Sequence, residues 1–198
     1  MQKTYLCIDL KSFYASVECV ELGLDPFKVN LVVADPTRGG GAITLAATPA
    51  IKKLGVSSRG RIFEIDPKIE YMIAPPRMHL YMEYSCKVYK VFLEFIAKED
   101  IHVYSIDESF LDVTSYLKLY QVNAKELAKK ILDRIYEKTG LTATVGIGTN
   151  LYLAKIAMDI SAKHNADRMA YLNEDLYRQT LWPVSYTHLR AHETVLDL

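Results

Sequence analysis

The placement of strand-like segments most constrains what this sequence can fold into, because these segments lie far apart with helical segments between them. Residues 5–8 form a short apolar run that stops at an acid. Residues 102–113 predict two strands around a turn, and the β-branched segment 142–147 predicts another strand. Helical periodicity over 78–98 and a capping-box pattern beginning at Asn123 predict two long helices. This order predicts an α+β fold in which helices pack on one face of a mixed β-sheet.

Composition and length exclude several classes of protein. Hydrophobic residues make up 50% of the 198 residues and the formal net charge is +0, which excludes a disordered chain. No apolar run reaches the roughly eighteen residues of a membrane span, and no signal-peptide pattern opens the sequence. The cysteines, Cys7, Cys19 and Cys86, lack metal-site spacing and are predicted to be small core residues. We therefore expect a cytoplasmic protein without a membrane partner.

Carboxylates stand where predicted strands end. Asp9 ends the first strand, and Asp107 and Glu108 are adjacent at the turn between two later strands. A carboxylate at the rim of a buried strand is costly unless water, a cation or a hydrogen-bond donor meets it. If these strands are neighbours, the acids converge, and Mg²⁺ is the natural occupant because it prefers hard oxygen ligands and shares them with substrate phosphates. The alternative is that they are ordinary solvated acids, since turns favour Asp.

Local sequence motifs favour the first interpretation. Residues 9–18 (DLKSFYASVE), 104–112 (YSIDESFLD) and 144–157 (TVGIGTNLYLAKIA) resemble, in the same order, the motifs of Y-family (translesion) DNA polymerases. Within that family, residues 10–14 and 47–53 resemble the UmuC-like branch. The resemblance implies a DNA-directed DNA polymerase core that acts in DNA repair and SOS mutagenesis. Its reaction would be two-metal transfer of a nucleotide from a dNTP to a primer 3′-hydroxyl.

The same resemblance implies a division into subdomains. Residues 1–28 and 75–165 would form the palm, and residues 29–74 a small fingers subdomain. Residues 166–183 would begin a thumb. Residues 184–198 match nothing in the family and are predicted to be a non-native tail, the alternative being a divergent native one.

The resemblance also assigns roles at the catalytic centre. Asp9, Asp107 and Glu108 would hold two Mg²⁺ ions, with the main-chain carbonyl of Leu10 as a further ligand. Tyr14 would be the steric gate, a ring placed under the sugar so that a 2′-hydroxyl clashes. The alternative for Tyr14 is a core aromatic on an amphipathic helix.

Further residues are implied to bind the nucleotide. Phe13 would lie beside the gate, and Lys52 and Lys163 would face the triphosphate, although Lys52 could also be a solvated surface lysine. Two departures from the family stand out. One residue more than usual separates Lys155 from Lys163, and Pro49 stands where many relatives carry a tyrosine. The glycine-rich loop would bring Gly41 and Ala42 near the template base.

The resemblance covers only part of a polymerase, which lowers the activity expected of this chain. The family pattern ends near residue 182, so we expect the thumb and little-finger domains to be absent and the tail histidines, His188 and His192, to have no metal role. Synthesis by this chain would then be weak or missing. The implied partners are primer-template DNA and dNTP, with a sliding clamp or SOS accessory proteins reached only through the absent C-terminal regions.

The charge balance agrees with this picture. Compact nucleic-acid-binding domains usually run basic, whereas this chain has 24 Lys+Arg against 24 Asp+Glu. Removing the tail does not supply the missing positive charge, so the grip on DNA would belong to other domains. Alternatives left open are another palm-type nucleotidyl transferase or cyclase, and a non-catalytic nucleotide-binding fragment.

Overall fold

The computed structural model describes residues 2–182. Its strands are β1 (Tyr5–Leu10), β2 (Leu31–Val33), β3 (Ala46–Ala47), β4 (Met72–Ala74), β5 (Ile101–Val103), β6 (Glu108–Asp112), β7 (Ala143–Gly148) and β8 (Met169–Leu172). Its α-helices are α1 (Phe13–Glu21), α2 (Pro49–Lys52), α3 (Met78–Leu93), α4 (Thr114–Tyr120), α5 (Ala124–Thr139), α6 (Leu151–Ile156) and α7 (Glu174–Thr180). The predicted tail, with His188 and His192, lies outside the described residues.

The larger of two sheets has five strands in the order β5-β6-β1-β7-β8. Neighbours are antiparallel except β7 and β8, which are parallel, so the sheet is mixed as predicted. Side chains of the central strand β1 point alternately to the two faces of the sheet. Leu6 and Ile8 share one face, where they are 0% and 1% exposed. The predicted α+β class is confirmed.

Helices α3 and α5 cover that buried face of the sheet. Helix α3 contributes Tyr84, Val88 and Phe92, as its periodicity predicts, and α5 contributes Leu127, Ile131 and Ile135. Helix α5 begins with the predicted capping box, because the Asn123 and Glu126 side chains each accept from the other residue's backbone N–H. It ends at Gly140, whose φ of 70° is the left-handed conformation of a C-terminal glycine.

Helix α6 lies against the opposite face, so the prediction of helices on one face holds for α3 and α5 but not for α6. The cause is a pair of glycines on β7. A Cβ at Gly146 would collide with the backbone of Ala154 and Met158, and one at Gly148 with Ala154. Ala154 and Met158 form a second small core with Cys7 and Phe110. Missing side chains on β7 therefore let the helix approach the sheet closely.

The smaller sheet, in the order β3-β2-β4, lies within residues 31–74, inside the range predicted for the fingers. Its strand β3 covers only the end of the apolar segment 42–47. Ile43 forms only an isolated bridge to Arg61, so ladder pairing is limited to Ala46–Ala47. The preceding glycine-rich segment, Pro36–Gly41, has 3₁₀ character that is interrupted at Gly39, where φ is 56°.

The segment assigned to the start of a thumb contains strand β8, which pairs in parallel with β7 and is the edge strand of the large sheet. One other prediction is corrected. Cys7 and Cys19 are buried as expected, but Cys86 is exposed because it lies on the outer side of α3. Within residues 2–182, no helix has the length and apolar character needed to cross a membrane.

Candidate active site

The predicted carboxylates lie at adjacent strand ends. Strands β1 and β6 pair antiparallel with Asp9 opposite Glu108. One residue further, the backbone N–H of Leu10 donates to the carbonyl of Asp107 at 2.9 Å. The first strand is therefore the neighbour of the hairpin formed by β5 and β6, as convergence of the acids requires.

The carboxylate of Glu108 is buried and has two donors. The Lys155 ammonium donates to its Oε1 at 2.6 Å, and the Cys7 thiol donates to the same atom at 3.3 Å. Burial lowers the pKa of Lys155, but the hydrogen bond and charge of Glu108 outweigh burial and raise it. The pair allows a charge to lie inside the sheet edge without remaining unpaired.

Asp9 lies in a more acidic environment. Burial raises the pKa of its carboxyl to about 6, the charge of Lys163 acts against that rise, and the charges of Asp107 and Glu108 add to it. Crowded carboxylates of this kind attract a cation, because mutual repulsion falls when positive charge enters between them.

The Asp107 side chain is oriented by its own turn. Ser105 Oγ donates to Asp107 Oδ1 at 2.7 Å and accepts from the backbone N–H of Glu108 at 3.1 Å. Across residues 2–182, no three His, Cys, Asp or Glu side chains are already grouped as a metal cage. The oxygen-only donors still fit Mg²⁺, which binds through one or two carboxylates and completes its shell with water and substrate phosphates.

An acid that the sequence interpretation missed joins two lysines. Asp159 lies 3.4 Å from the Lys155 ammonium and 2.8 Å from that of Lys163. The i,i+4 spacing of these three residues was the available signal. A π-helical turn over Ala157–Ala162 absorbs one extra residue, the number by which the lysines are further apart than expected. Burial lowers the pKa of Lys163, but the hydrogen bond to Asp159 and the charge of Asp9 outweigh burial and raise it. The role of Lys163 at the triphosphate stays a prediction.

Lys52, the last residue of α2, contacts the segment that follows β1. Its ammonium donates to Ser12 Oγ at 2.9 Å, at the junction between β1 and α1. Burial lowers the pKa of Lys52, the charge of Asp9 raises it, and the like charges of Lys11 and Lys163 lower it further. Lys52 is exposed and its ammonium is hydrogen-bonded to Ser12, so its role at the triphosphate stays a prediction.

The two predicted aromatic residues differ in burial, although both rings lie near Tyr81. Tyr14 is partly buried and stacks on Tyr81 with ring centroids 4.3 Å apart and planes at 14°. Burial raises the pKa of Tyr14, and the charge of Asp107 adds to the rise. Phe13 is 3% exposed and packs into the main core, so its side chain is not available to a ligand.

The predicted template-contacting residues belong to the edge of the smaller sheet. Gly41 is exposed and its carbonyl accepts from Arg61 at 3.0 Å, while Ala42 is buried and its carbonyl accepts from the N–H of Ile62. Their described contacts tie them to this loop pair and not to the carboxylates. A role near a template base stays a prediction.

A family of known proteins matches the part of the chain that contains the candidate site. The model of the impB/mucB/samB family matches residues 8–159, a stretch that contains all three carboxylates and Tyr14.

Curated relatives cover most of this chain. UvrX of Bacillus subtilis (strain 168), whose name refers to UV-damage repair, is 39% identical over 186 residues, 92% of this chain. DNA polymerase IV 2 of the same organism is 37% identical over 187 residues, also 92% of this chain. The chain spans 43% and 44% of the lengths of these two relatives. Their names do not decide the branch within the family, so the UmuC-like assignment stays a prediction.

Solved structures share the fold. The crystal structure of DinB from Sulfolobus solfataricus aligns with a TM-score of 0.75 and 29% identity, over 90% of this chain and 50% of that one. The insertion ternary complex of Dbh DNA polymerase aligns with a TM-score of 0.74 and 28% identity, over 90% of this chain and 51% of that one. Both sheets and the helices between them are therefore an arrangement found in solved polymerases.

Proposed function

The chain belongs to the impB/mucB/samB family, whose structural relatives include Y-family DNA polymerases, and from that premise we propose that it carries a polymerase catalytic centre. The proposed reaction joins a dNTP to the 3′-hydroxyl of a primer, in DNA synthesis of the translesion type. The observation that supports it most is the pairing of Asp9 with Glu108, with Leu10 bonded to Asp107 beside them.

The proposed metal ligands are the side chains of Asp9, Asp107 and Glu108 and the carbonyl of Leu10. Bound Mg²⁺ would supply activation of the attacking hydroxyl and stabilisation of the leaving pyrophosphate. The protein's own contribution is to hold hard oxygen donors at the ends of rigid, paired strands. Ser105 fixes the orientation of Asp107 through its 2.7 Å hydrogen bond.

The proposed triphosphate site lies between the two sheets. Lys163 and Lys52 bind the phosphates as point charges, Lys163 held by Asp159 and Lys52 by Ser12. The Tyr14 ring lies under the sugar and excludes a 2′-hydroxyl. Phe13 supports this site from the core through its ring and can face the nucleotide only with its backbone.

The two sheets support the proposed subdomains. Residues 1–28 and 75–165 form the proposed palm, 29–74 the proposed fingers, with Gly41 and Ala42 facing the template base, and 166–183 the proposed start of a thumb. Proposed partners are primer-template DNA and dNTP, and a clamp or SOS proteins would be reached through other parts of a longer protein. The formal net charge of +0 favours a second candidate, nucleotide binding without synthesis, because phosphate contacts supply much of the affinity for DNA.

Primer extension with Mg²⁺, at protein concentrations equal to the DNA, tests the proposal. We expect slow, distributive addition that is lost in Asp107→Asn and kept in Asp133→Asn, a matched change at an exposed acid on α5. Addition unaffected by Asp107→Asn would contradict the proposal. A cyclic nucleotide formed without DNA would instead support a cyclase, and nucleotide binding without any extension would support the second candidate.

A further inference from the structure

A buried carboxylate outside the metal site joins helices α1 and α3. Glu18, 3% exposed, accepts two hydrogen bonds from Arg77 Nε at 3.1 Å and one from Arg77 Nη2 at 2.5 Å. It also accepts a 2.6 Å hydrogen bond from the hydroxyl of Tyr81, which is 0% exposed. Every described contact of this carboxylate therefore goes to α3 or to the residue that caps it.

The ring face of Tyr81 contacts Tyr14, the proposed steric gate. The rings of Tyr81 and Tyr14 are stacked at 4.3 Å and 14°, which fixes their relative planes. Tyr81 is thus held at its hydroxyl by a charged group and presents its face to Tyr14. A chain of direct contacts runs from Arg77 through Glu18 and Tyr81 to Tyr14.

We propose that Glu18 and Tyr81 are positioning residues that fix the plane of the Tyr14 ring and so set how strongly a ribonucleotide is excluded. The inference rests on the proposed role of Tyr14 under the sugar. To exclude the 2′-hydroxyl of a ribonucleotide, the Tyr14 ring must keep its position, because a displacement of the ring by about 1 Å would remove the steric clash.

The hydrogen bond between Glu18 and Tyr81 favours a positioning role for these residues over a role in packing alone. Apolar residues of similar volume would join two helices at least as stably as a buried ion pair does. A charged hydrogen bond adds direction, which apolar contacts lack. The bond to Glu18 prevents rotation or sliding of the Tyr81 ring, and the stacked Tyr14 ring follows.

The same two helices contain a matched control. Tyr84, one turn further along α3, donates to Glu21 at 2.8 Å and is 5% exposed. Its ring lies against the Lys87 ammonium at 4.2 Å. Tyr84→Phe therefore removes the same kind of bond between α1 and α3 without touching the ring that stacks on Tyr14.

Calorimetric titration of the whole chain with dATP and with ATP, both with Mg²⁺, tests the proposal. Tyr81→Phe and Glu18→Gln are each expected to lower the ratio of dATP to ATP affinity about three- to tenfold, and Tyr84→Phe to leave it unchanged. Arg77→Gln changes a side chain that is 44% exposed and provides a third, milder variant in the same direction. Thermal unfolding of each variant establishes that it is folded.

Folded Tyr81→Phe, Glu18→Gln and Arg77→Gln proteins that keep the wild-type ratio would overturn the inference, as would an equal loss in Tyr84→Phe. Failure of the proposed function gives a different result. In that case the unaltered chain binds neither nucleotide, or binds both equally, before any substitution is made.

Discussion

Lys155 donates a 2.6 Å hydrogen bond to the buried carboxylate of Glu108. The ammonium neutralises the charge of that carboxylate, which a bound metal ion would also do, and Asp159 lies 3.4 Å from the ammonium. The arrangement stabilises the acidic strand ends in the absence of other cations. It also implies that Lys155 and a bound cation compete for the same negative charge.

Removing this lysine is the first testable change. Lys155→Met leaves Glu108 buried without its main donor and is expected to lower the free energy of unfolding by about 1–3 kcal/mol. Urea denaturation measures it, with Lys129→Met as the control, since Lys129 and Asp133 form an exposed pair. Mg²⁺ should raise the melting temperature of Lys155→Met more than that of the unaltered chain. An equal rise in both would contradict the competition.

A second prediction concerns the contact between α6 and the sheet. Gly146→Ala places a methyl group against the backbone of Ala154 and Met158, and the backbone cannot yield without separating the helix from β7. We expect a loss of about 3 kcal/mol or more. Gly41→Ala, where a Cβ meets nothing within 4 Å, is the control and should unfold close to the wild-type temperature. A stable Gly146→Ala protein would show that the close approach is not required.

Thiol reactivity tests the corrected position of Cys86. This residue is exposed, whereas burial raises the pKa of Cys19 to about 11 and also raises that of Cys7, where Glu108 adds to the effect. Iodoacetamide at pH 8 should therefore modify Cys86 first, and peptide mass spectrometry identifies the site. Labelling of Cys7 or Cys19 at the same rate in the folded protein would be inconsistent with the buried positions.

A fourth prediction concerns alkaline pH. Burial raises the pKa of Tyr84 to about 12, and its hydrogen bond to Glu21 acts in the same direction, so the folded state favours the neutral phenol. The corresponding stability is fully present below the ordinary pKa of 10.0 and is lost as pH rises toward 12. Unfolding free energies at pH 9 and 11.5 should fall less in Tyr84→Phe than in the unaltered chain. An identical fall in unfolding free energy in both proteins would show that Tyr84 does not contribute to the loss of stability at alkaline pH.

Local signals in the sequence predicted much of this fold. The capping box at Asn123 and the glycine at 140 each depend on a few neighbouring residues, and both appear as expected. Strand β8 was missed because the short segment Met169–Leu172 has no alternation and gains its strand character from pairing with β7. Cys86 was placed wrongly because composition does not tell which side of α3 faces solvent.

The candidate site was predictable only in its residue types. The sequence identified Asp9, Asp107 and Glu108, but the donors that hold them were not visible in it. Lys155 reaches Glu108 across 47 positions in the chain. Tyr81 reaches Glu18 across 63. Contacts over such separations depend on how helices pack against the sheet, which no local pattern specifies.

The most direct test of the account measures whether the paired strand ends bind a magnesium nucleotide. Calorimetric titration with dATP should show binding that requires Mg²⁺ and weakens at least about tenfold in Asp9→Asn, since one ligand of the charged site is lost. Asp133→Asn, the exposed control on α5, should bind as the unaltered chain does. Binding that is independent of Mg²⁺, or unchanged in a folded Asp9→Asn protein, would contradict the central claim that these carboxylates form the catalytic centre.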